Sequence, residues 1–187
     1  ARCNGLPRYP AVPTEHALEA RNLFKVFGRN PKQAIARLRA GQSRADVADA
    51  GTAAVIDASF TVERGEIFVI MGLSGSGKST IIRMLNGLLA PSAGEVIVGG
   101  QNVTAASATE LRAIRRTSIS MVFQHFALLP HRTVIDNAAY ALEIQGVAKA
   151  ERFERARAVL EKVGLGDRPD AFPDELSGGM RQRVGLA

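Results

Sequence analysis

The sequence predicts an α/β protein, in which strands and helices alternate along the chain and pack in layers. Two observations predict this fold class. From residue 55 onward, short apolar runs alternate with segments whose apolar residues recur at helical spacing. Within this pattern, an apolar run at 67–71 leads directly into a glycine-rich loop and then into a helix-like stretch at 81–85. The chain has 187 residues, 46% of them hydrophobic, which suffices for a domain with its own core.

Two strands with a helical insertion between them are predicted before the glycine-rich loop. Residues 1–20 are rich in proline and polar residues, which predicts a loose lead-in. A first strand is predicted at 20–27, and the alternation of apolar residues predicts another at 55–62. Apolar residues recur at helical spacing within 31–50 and are interrupted at Gly41, so we expect one or two short helices there.

Helices and strands continue to alternate after the loop. Ser107 and Glu110 have the spacing of a capping box, which predicts the start of a helix. Gly164 is expected to end an amphipathic helix, because glycine readily adopts the left-handed conformation of a C-terminal cap. The predicted elements are helices at 78–89, 107–116, 133–144 and 150–163, strands at 95–98 and 118–123, and a final helix up to Ala187.

The segment from Gly72 to Thr80 is the strongest indication of chemistry in the chain. It matches the pattern G-x-x-x-x-G-K-[ST] between a predicted strand and a predicted helix, which is the context of a phosphate-binding loop. Glycines let backbone amides approach phosphate oxygens, and a helix N-terminus adds unpaired amides and a positive dipole end. The Lys78 ammonium can reach the β- and γ-phosphates, and the Ser79 hydroxyl can bind Mg²⁺. The predicted phosphate-binding residues are Gly72, Leu73, Ser74, Gly75, Ser76, Gly77, Lys78, Ser79 and Thr80.

A second segment with two glycines follows Leu176. Ser177 has the position of a helix N-cap, and Gly178 and Gly179 leave room for an anion to approach the helix end. Taken alone, this segment is better explained as an ordinary capped helix. The alternative for the loop at Gly72–Thr80 is a flexible glycine turn between a strand and a helix. The presence of both segments in one chain favours a phosphate-binding protein.

Composition excludes several other classes. No apolar run approaches the ~20 residues of a membrane-spanning helix, and Ala1 to Ala20 has no secretory signal. The single Cys3 excludes an internal disulfide and argues against a Cys/His metal site, so a cytosolic compartment fits best. The net charge is +6, but the arginines are dispersed without interleaved aromatics, which favours solvated helix faces over a nucleic-acid surface.

In its motifs the chain resembles the nucleotide-binding subunit of an ABC transporter. Gly72–Thr80 resembles the Walker A motif, Phe123-Gln124 resembles the Q-loop at the end of a strand, and 176–179 resembles the signature motif. Their order and separation agree with that family, and the resemblance covers 21–187.

Longer stretches narrow the resemblance to the ATPases of bacterial glycine betaine/proline importers. These stretches are 66–80, 121–131 and 173–187. Met180, where most of the superfamily has glutamine, and the insertion at 31–51 are further marks of that group.

The resemblance implies an α/β P-loop NTPase fold of the ABC type, with a parallel core sheet, N-terminal antiparallel strands and a helical subdomain. The ATP-binding domain would cover 21–187, with a helical insertion at about 30–52 and the helical subdomain at about 125–176. Both ends of the chain look cut. The family's Walker B strand, dimer-contact loop and switch histidine are expected beyond Ala187, so the domain is expected to be incomplete at its C-terminus.

The resemblance also implies that ATP and Mg²⁺ are the ligands. Lys78 and Gln124 would serve catalysis, and Ser79 and Gln124 would hold the Mg²⁺ ion. Phe27 matches the aromatic residue that stacks on adenine, although a core phenylalanine at a strand end is an equally good explanation.

The implied assembly is a homodimer that holds ATP in a head-to-tail sandwich. Ser177, Gly178 and Gly179 would contact the γ-phosphate of ATP held by the opposite subunit. The further partners would be integral membrane permease subunits, with a substrate-binding protein upstream and no nucleic acid. This chain would lie peripherally on the cytoplasmic face of the inner membrane.

We expect the 187-residue chain itself to hydrolyse ATP poorly and to be prone to aggregation, because the Walker B strand and the switch histidine are absent from it. Two alternatives to a transport ATPase stay open. One is an ABC-type ATPase without a transport role, and the other is a truncated, non-catalytic nucleotide-binding module.

Overall fold

The computed structural model describes residues 16–123 and 128–187. Two compact units make up the chain, Ala1–Ile119 and Ser120–Ala187. No helix in the described ranges is long and apolar enough to cross a membrane.

An antiparallel sheet is the centre of the first unit. Strand β1 pairs with β2 on one side, from His16 opposite Glu63 to Phe27 opposite Thr52, and with β3 on the other side. The order across the sheet is β2-β1-β3-β4. The strands are β1 (His16–Phe27), β2 (Thr52–Glu63), β3 (Ala93–Val98) and β4 (Gln101–Asn102).

The strands begin earlier than the sequence predicts. Residues 16–20 belong to β1 rather than to a loose lead-in, because pairing with β2 and β3 extends the strand beyond its apolar part. Residues 1–15 lie outside the described part of the chain.

Apolar side chains of β1 enter two separate cores. Leu23 packs in one core and Phe24 in the other, because successive residues of a strand point to opposite faces. The first core also contains Met84, and the second lies against helix α1 (Pro31–Arg39). Leu23, Val96 and Met84 are almost fully buried, so this face of the sheet is well covered.

The insertion between β1 and β2 contains one helix, where one or two were predicted, and the rest of it forms hydrogen-bonded turns. Ala34, Ile35 and Leu38 are the buried face of α1. Arg37 links α1 to the end of the insertion by donating hydrogen bonds to both carboxylate oxygens of Asp49, at 2.8 and 2.9 Å. This hydrogen-bonded pairing holds the pKa of the Asp49 carboxyl below its usual range.

Helix α2 (Lys78–Leu85) follows the glycine-rich loop and is shorter than predicted. The predicted end was Leu89, but Gly87 adopts a left-handed conformation with φ 69° and its amide donates to Met84 O at 3.0 Å. A left-handed glycine one residue past the cap ends a helix, so the chain leaves α2 one turn early.

Helix α3 (Ala108–Thr117) begins with the predicted capping box. The Ser107 hydroxyl accepts a hydrogen bond from the Glu110 amide at 3.3 Å, and the Ser107 amide donates to the Glu110 carboxylate at 2.8 Å. Arg115 on this helix donates to the Asn86 and Gly87 carbonyls beyond the end of α2.

The described residues contain only antiparallel strand pairs, so the predicted parallel core sheet is not seen among them. Neither 67–71 nor 118–123 forms a strand. Ile67 is 90% exposed and Met71 86% exposed, while Phe68 stacks on Phe60 of β2 with ring centroids 4.9 Å apart. An apolar run becomes a buried parallel strand only when neighbouring strands and two covering layers are present, and no described segment supplies the pairing.

The second unit is helical. Its core contains Leu160, Leu176 and Val184. The predicted helix at 133–144 is split at Ala139 into two short helices, and the one predicted at 150–163 ends before Gly164, whose φ is 69°. The helices are α4 (Val134–Ala138), α5 (Tyr140–Ile144), α6 (Lys149–Lys162) and α7 (Gly178–Leu186), with a 3₁₀ turn at Pro173–Glu175.

Candidate nucleotide-binding site

Gly77 fixes the start of α2 at the end of the glycine-rich loop. It caps the helix with φ 95°, a conformation that residues with a side chain rarely adopt. A Cβ at this position would also collide with the carbonyl oxygen of Ala54 in β2. The loop can therefore pass against β2 only because residue 77 is glycine.

The N-terminus of α2 presents backbone amides at its first turn. The first hydrogen bond of the helix runs from the Ile81 amide to the Gly77 carbonyl at 2.9 Å. The amides of Lys78, Ser79 and Thr80 therefore have no acceptor within the helix. Together with the positive end of the helix dipole, these amides suit an anionic oxygen.

Lys78 closes the loop on itself. Its ammonium donates to the Gly72 carbonyl at 2.8 Å and to the Leu73 carbonyl at 2.6 Å, and lies 3.5 Å from the Ser76 hydroxyl. The Ser76 amide donates to the Leu73 carbonyl at 3.2 Å. The side chain thus holds a positive charge over the loop, at the same end of α2 as the first-turn amides.

The loop itself faces outward. Ser74, Gly75 and Ser79 are exposed, so both hydroxyl groups are accessible to a ligand. At Gly75, φ is 77°, and a Cβ there would have no neighbouring atom within 4 Å. At Gly72, a Cβ would fill the loop and lie 2.6 Å from the Ser76 hydroxyl oxygen. The missing side chains leave a cradle lined by backbone.

Phe27 lies at the end of β1, and β1 is paired with β2, the strand that contacts the glycine-rich loop. It pairs with Thr52 of β2, and Ala54, two residues further along β2, contacts Gly77. The ring is 47% exposed, so Phe27 is not a core residue. An exposed aromatic ring at this place can serve as a platform for a flat ligand.

Gln124 lies outside the described residues, so its predicted roles in catalysis and Mg²⁺ binding remain predictions. The two residues before it, Val122 and Phe123, are exposed.

The signature-like segment begins α7 in the second unit. The Ser177 hydroxyl accepts a hydrogen bond from the Met180 amide at 3.3 Å, and the Ser177 carbonyl accepts one from Arg181 at 2.9 Å. Gly178 and Gly179 are exposed, and the place of a Cβ on each is empty. Leu176 is buried and anchors the start of the helix. The segment is therefore a capped helix end with an open glycine surface.

Two contacts near these sites were not anticipated from the sequence. Lys25 lies over the Phe27 ring, with Nζ 5.2 Å from the ring centroid. Arg183 of α7 donates to the Val163 carbonyl at the end of α6 at 2.8 Å. The contact of Lys25 with Phe27 could have been inferred from their two-residue spacing on a predicted strand. The hydrogen bond of Arg183 depends on how α7 packs against α6, which the sequence pattern does not indicate.

Comparison with known proteins places the chain in a family. Residues 55–187 match the family model described as ABC transporter. The chain belongs to the ABC transporter family. This confirms the family resemblance seen in the sequence motifs.

Curated relatives in the ABC transporter family are ATP-binding proteins of solute transport systems. The glycine betaine/proline betaine transport ATP-binding protein ProV of Salmonella typhimurium is 51% identical over 172 residues, which are 91% of this chain and 43% of that protein. OpuAA of Bacillus subtilis, a glycine betaine transport ATP-binding protein, is 49% identical over 91% of this chain and 41% of its own length. The chain thus spans less than half the length of these relatives.

A solved ABC cassette has the same fold. The dimeric post-hydrolysis structure of the ATP-binding cassette MJ0796, bound to ADP and Pi, matches 90% of this chain and 67% of that chain, with a TM-score of 0.74 and 28% identity. This similarity confirms the fold class. The predicted N-terminal antiparallel strands are β1 and β2, which pair before the Walker A loop.

Proposed function

We propose that this chain binds ATP with Mg²⁺ and is the ATP-hydrolysing part of a transporter that imports a compatible solute. The observation that carries the proposal is the Walker A loop, in which the Lys78 ammonium and the first amides of α2 lie at one end of the helix. The backbone cradle left by Gly72 and Gly77 fits a phosphate chain, because a Cβ at either position would meet neighbouring atoms of the loop or of β2.

Individual residues have separate roles in this proposal. Lys78 and the amides of α2 would bind the β- and γ-phosphates, and the exposed Ser79 hydroxyl would bind Mg²⁺ together with Gln124. Phe27 would stack on the base. Bound ATP supplies a γ-phosphoryl group whose transfer to water releases the free energy for transport. The protein contributes mainly by positioning and by charge stabilisation.

The proposed solute is glycine betaine, proline betaine or a related quaternary amine. The glycine betaine relatives align with 91% of this chain. The methionine import ATP-binding protein MetN of Rhizobium johnstonii is 52% identical but aligns with only 73% of it. The larger aligned share supports the betaine group.

The proposed assembly is a homodimer attached to permease subunits on the cytoplasmic face of the inner membrane, with a substrate-binding protein supplying the solute. The dimeric state of the MJ0796 cassette supports the homodimer. The exposed glycines of the signature segment support a contact with ATP held by the second copy. We further propose that 21–187 acts as one ATP-binding domain, with a helical insertion at about 30–52 and a helical subdomain at about 125–176.

Calorimetric titration with ATP and Mg²⁺ tests the site. Lys78→Ala is expected to weaken binding about 10- to 150-fold, the effect of losing a charge-assisted hydrogen bond. Lys32→Ala is the matched control, since it removes an exposed lysine from α1 and should leave the affinity unchanged. If Lys78→Ala and the native chain bind ATP equally well, the proposed site is wrong.

Uptake measurements test the solute. Deletion of the gene that encodes this chain is expected to abolish uptake of labelled glycine betaine and to leave methionine uptake unchanged. Loss of methionine uptake alone would refute the proposed solute and favour a methionine importer.

A further inference from the structure

Lys25 and Phe27 form a pair on one side of β1. Residues two apart on a strand point to the same side. The Lys25 ammonium lies 5.2 Å from the centroid of the Phe27 ring, within the range of a cation–π interaction. Phe27 is 47% exposed, so it keeps surface for a ligand while its ring contacts the lysine.

The lysine itself is held in place by the segment that follows α2. Its ammonium donates to the Ala90 carbonyl at 2.7 Å. That segment is attached to β1 independently of Lys25, because the Ser92 amide donates to the Phe24 carbonyl at 2.8 Å and the Ser92 hydroxyl accepts from the Val26 amide at 3.2 Å. The ammonium is thus fixed over the ring by a framework that does not depend on the lysine.

We propose that Lys25 is a positioning residue for the base of the bound nucleotide, an inference that rests on the proposed function. An exposed phenylalanine at a strand end can change its side-chain rotamer, and stacking on a base then requires the ring to become ordered. A cation fixed over the ring orders it before the ligand arrives, which lowers the cost of binding. Lys25 lies on β1 rather than in the Walker A loop, so it acts on base stacking and not on phosphate binding.

The test compares two ligands in calorimetric titrations, ATP and inorganic tripolyphosphate, each with Mg²⁺. Lys25→Met keeps the length of the side chain but removes its charge and its hydrogen bond. This variant is expected to bind ATP about two- to five-fold more weakly and to bind tripolyphosphate as the native chain does. Lys25→Arg, which keeps a cation and a donor, is expected to restore ATP binding.

A double-mutant cycle with Phe27→Ala shows whether Lys25→Met changes ATP affinity through the Phe27 ring or through some other part of the chain. In the Phe27→Ala background, Lys25→Met should change ATP affinity by less than about 1.5-fold, because the partner of the cation is gone. Equal weakening of both ligands, an undiminished effect without the ring, or an unchanged ATP affinity of Lys25→Met would each overturn the role of Lys25. A native chain that binds neither ligand would overturn the proposed function and this inference with it. A native chain that binds both ligands equally tightly would overturn base stacking, and with it the role of Lys25, but would leave phosphate binding at the loop standing.

Discussion

Replacing Gly77 by alanine tests whether the Walker A loop is fixed against β2. The substitution places a residue with a Cβ at φ 95°, which costs about 1–2 kcal/mol. The Cβ also collides with the Ala54 carbonyl, and overpacking of this kind adds about 1–3 kcal/mol. We therefore expect the free energy of unfolding to fall by about 2–5 kcal/mol. Gly75→Ala is the matched control, because residue 75 has φ 77° in the same loop but its Cβ would meet empty space.

The assay is urea unfolding followed by circular dichroism, with both variants and the native chain measured under the same conditions. Gly75→Ala should lose only the conformational part, about 1–2 kcal/mol. The difference between the two variants measures the contact with Ala54. If both variants lose the same stability, the close approach of the loop to β2 does not constrain the site, and the reasoning is refuted.

Two further predictions concern solubility and pH. Met71→Lys is expected to reduce aggregation of the chain without lowering its melting temperature, because Met71 is 86% exposed in an apolar segment that no described strand covers. Light scattering measures the aggregation, and an unchanged scattering signal would contradict the prediction. The Arg132 guanidinium, 2.8 Å from Glu143, holds the pKa of that carboxyl below its usual range. The unfolded chain then binds the proton more readily, so this pairing stabilises the fold above the usual pKa of glutamate and is lost as the pH falls through the lower native pKa. Glu143→Gln should flatten the fall in melting temperature in this acidic range, and a pH profile identical to that of the native chain would speak against the pairing.

Features governed by a few neighbouring residues could be predicted from the sequence. The capping box of Ser107 and Glu110 forms with both expected hydrogen bonds. Gly164 ends α6 at the expected place. In each case the interacting residues lie within a few positions of one another along the chain, so a short sequence motif is enough to predict the interaction.

Features that depend on distant partners could not be predicted in the same way. The apolar run 67–71 has the composition of a buried strand, but composition does not say which segment would pair with it. The length of β1 was underestimated because residues 16–20 are held by pairing rather than by their own propensity. The apolar residues Leu88 and Leu89 continue the helical pattern past Gly87, but the left-handed conformation of Gly87 ends α2 at Leu85.

The Walker A loop belongs with the predictable features although the strand expected before it is not formed. Its conformation depends on hydrogen bonds from Lys78 to residues five and six positions earlier and on the cap at Gly77. Gly77 also lies close to Ala54, on a strand that antiparallel pairing with β1 already holds in place. A loop of this kind can therefore keep its shape independently of a parallel neighbour, so ATP affinity and the exposure of 67–71 should respond separately to mutation. A substitution such as Met71→Lys should accordingly alter association of the chain and leave the contribution of Lys78 to ATP binding intact.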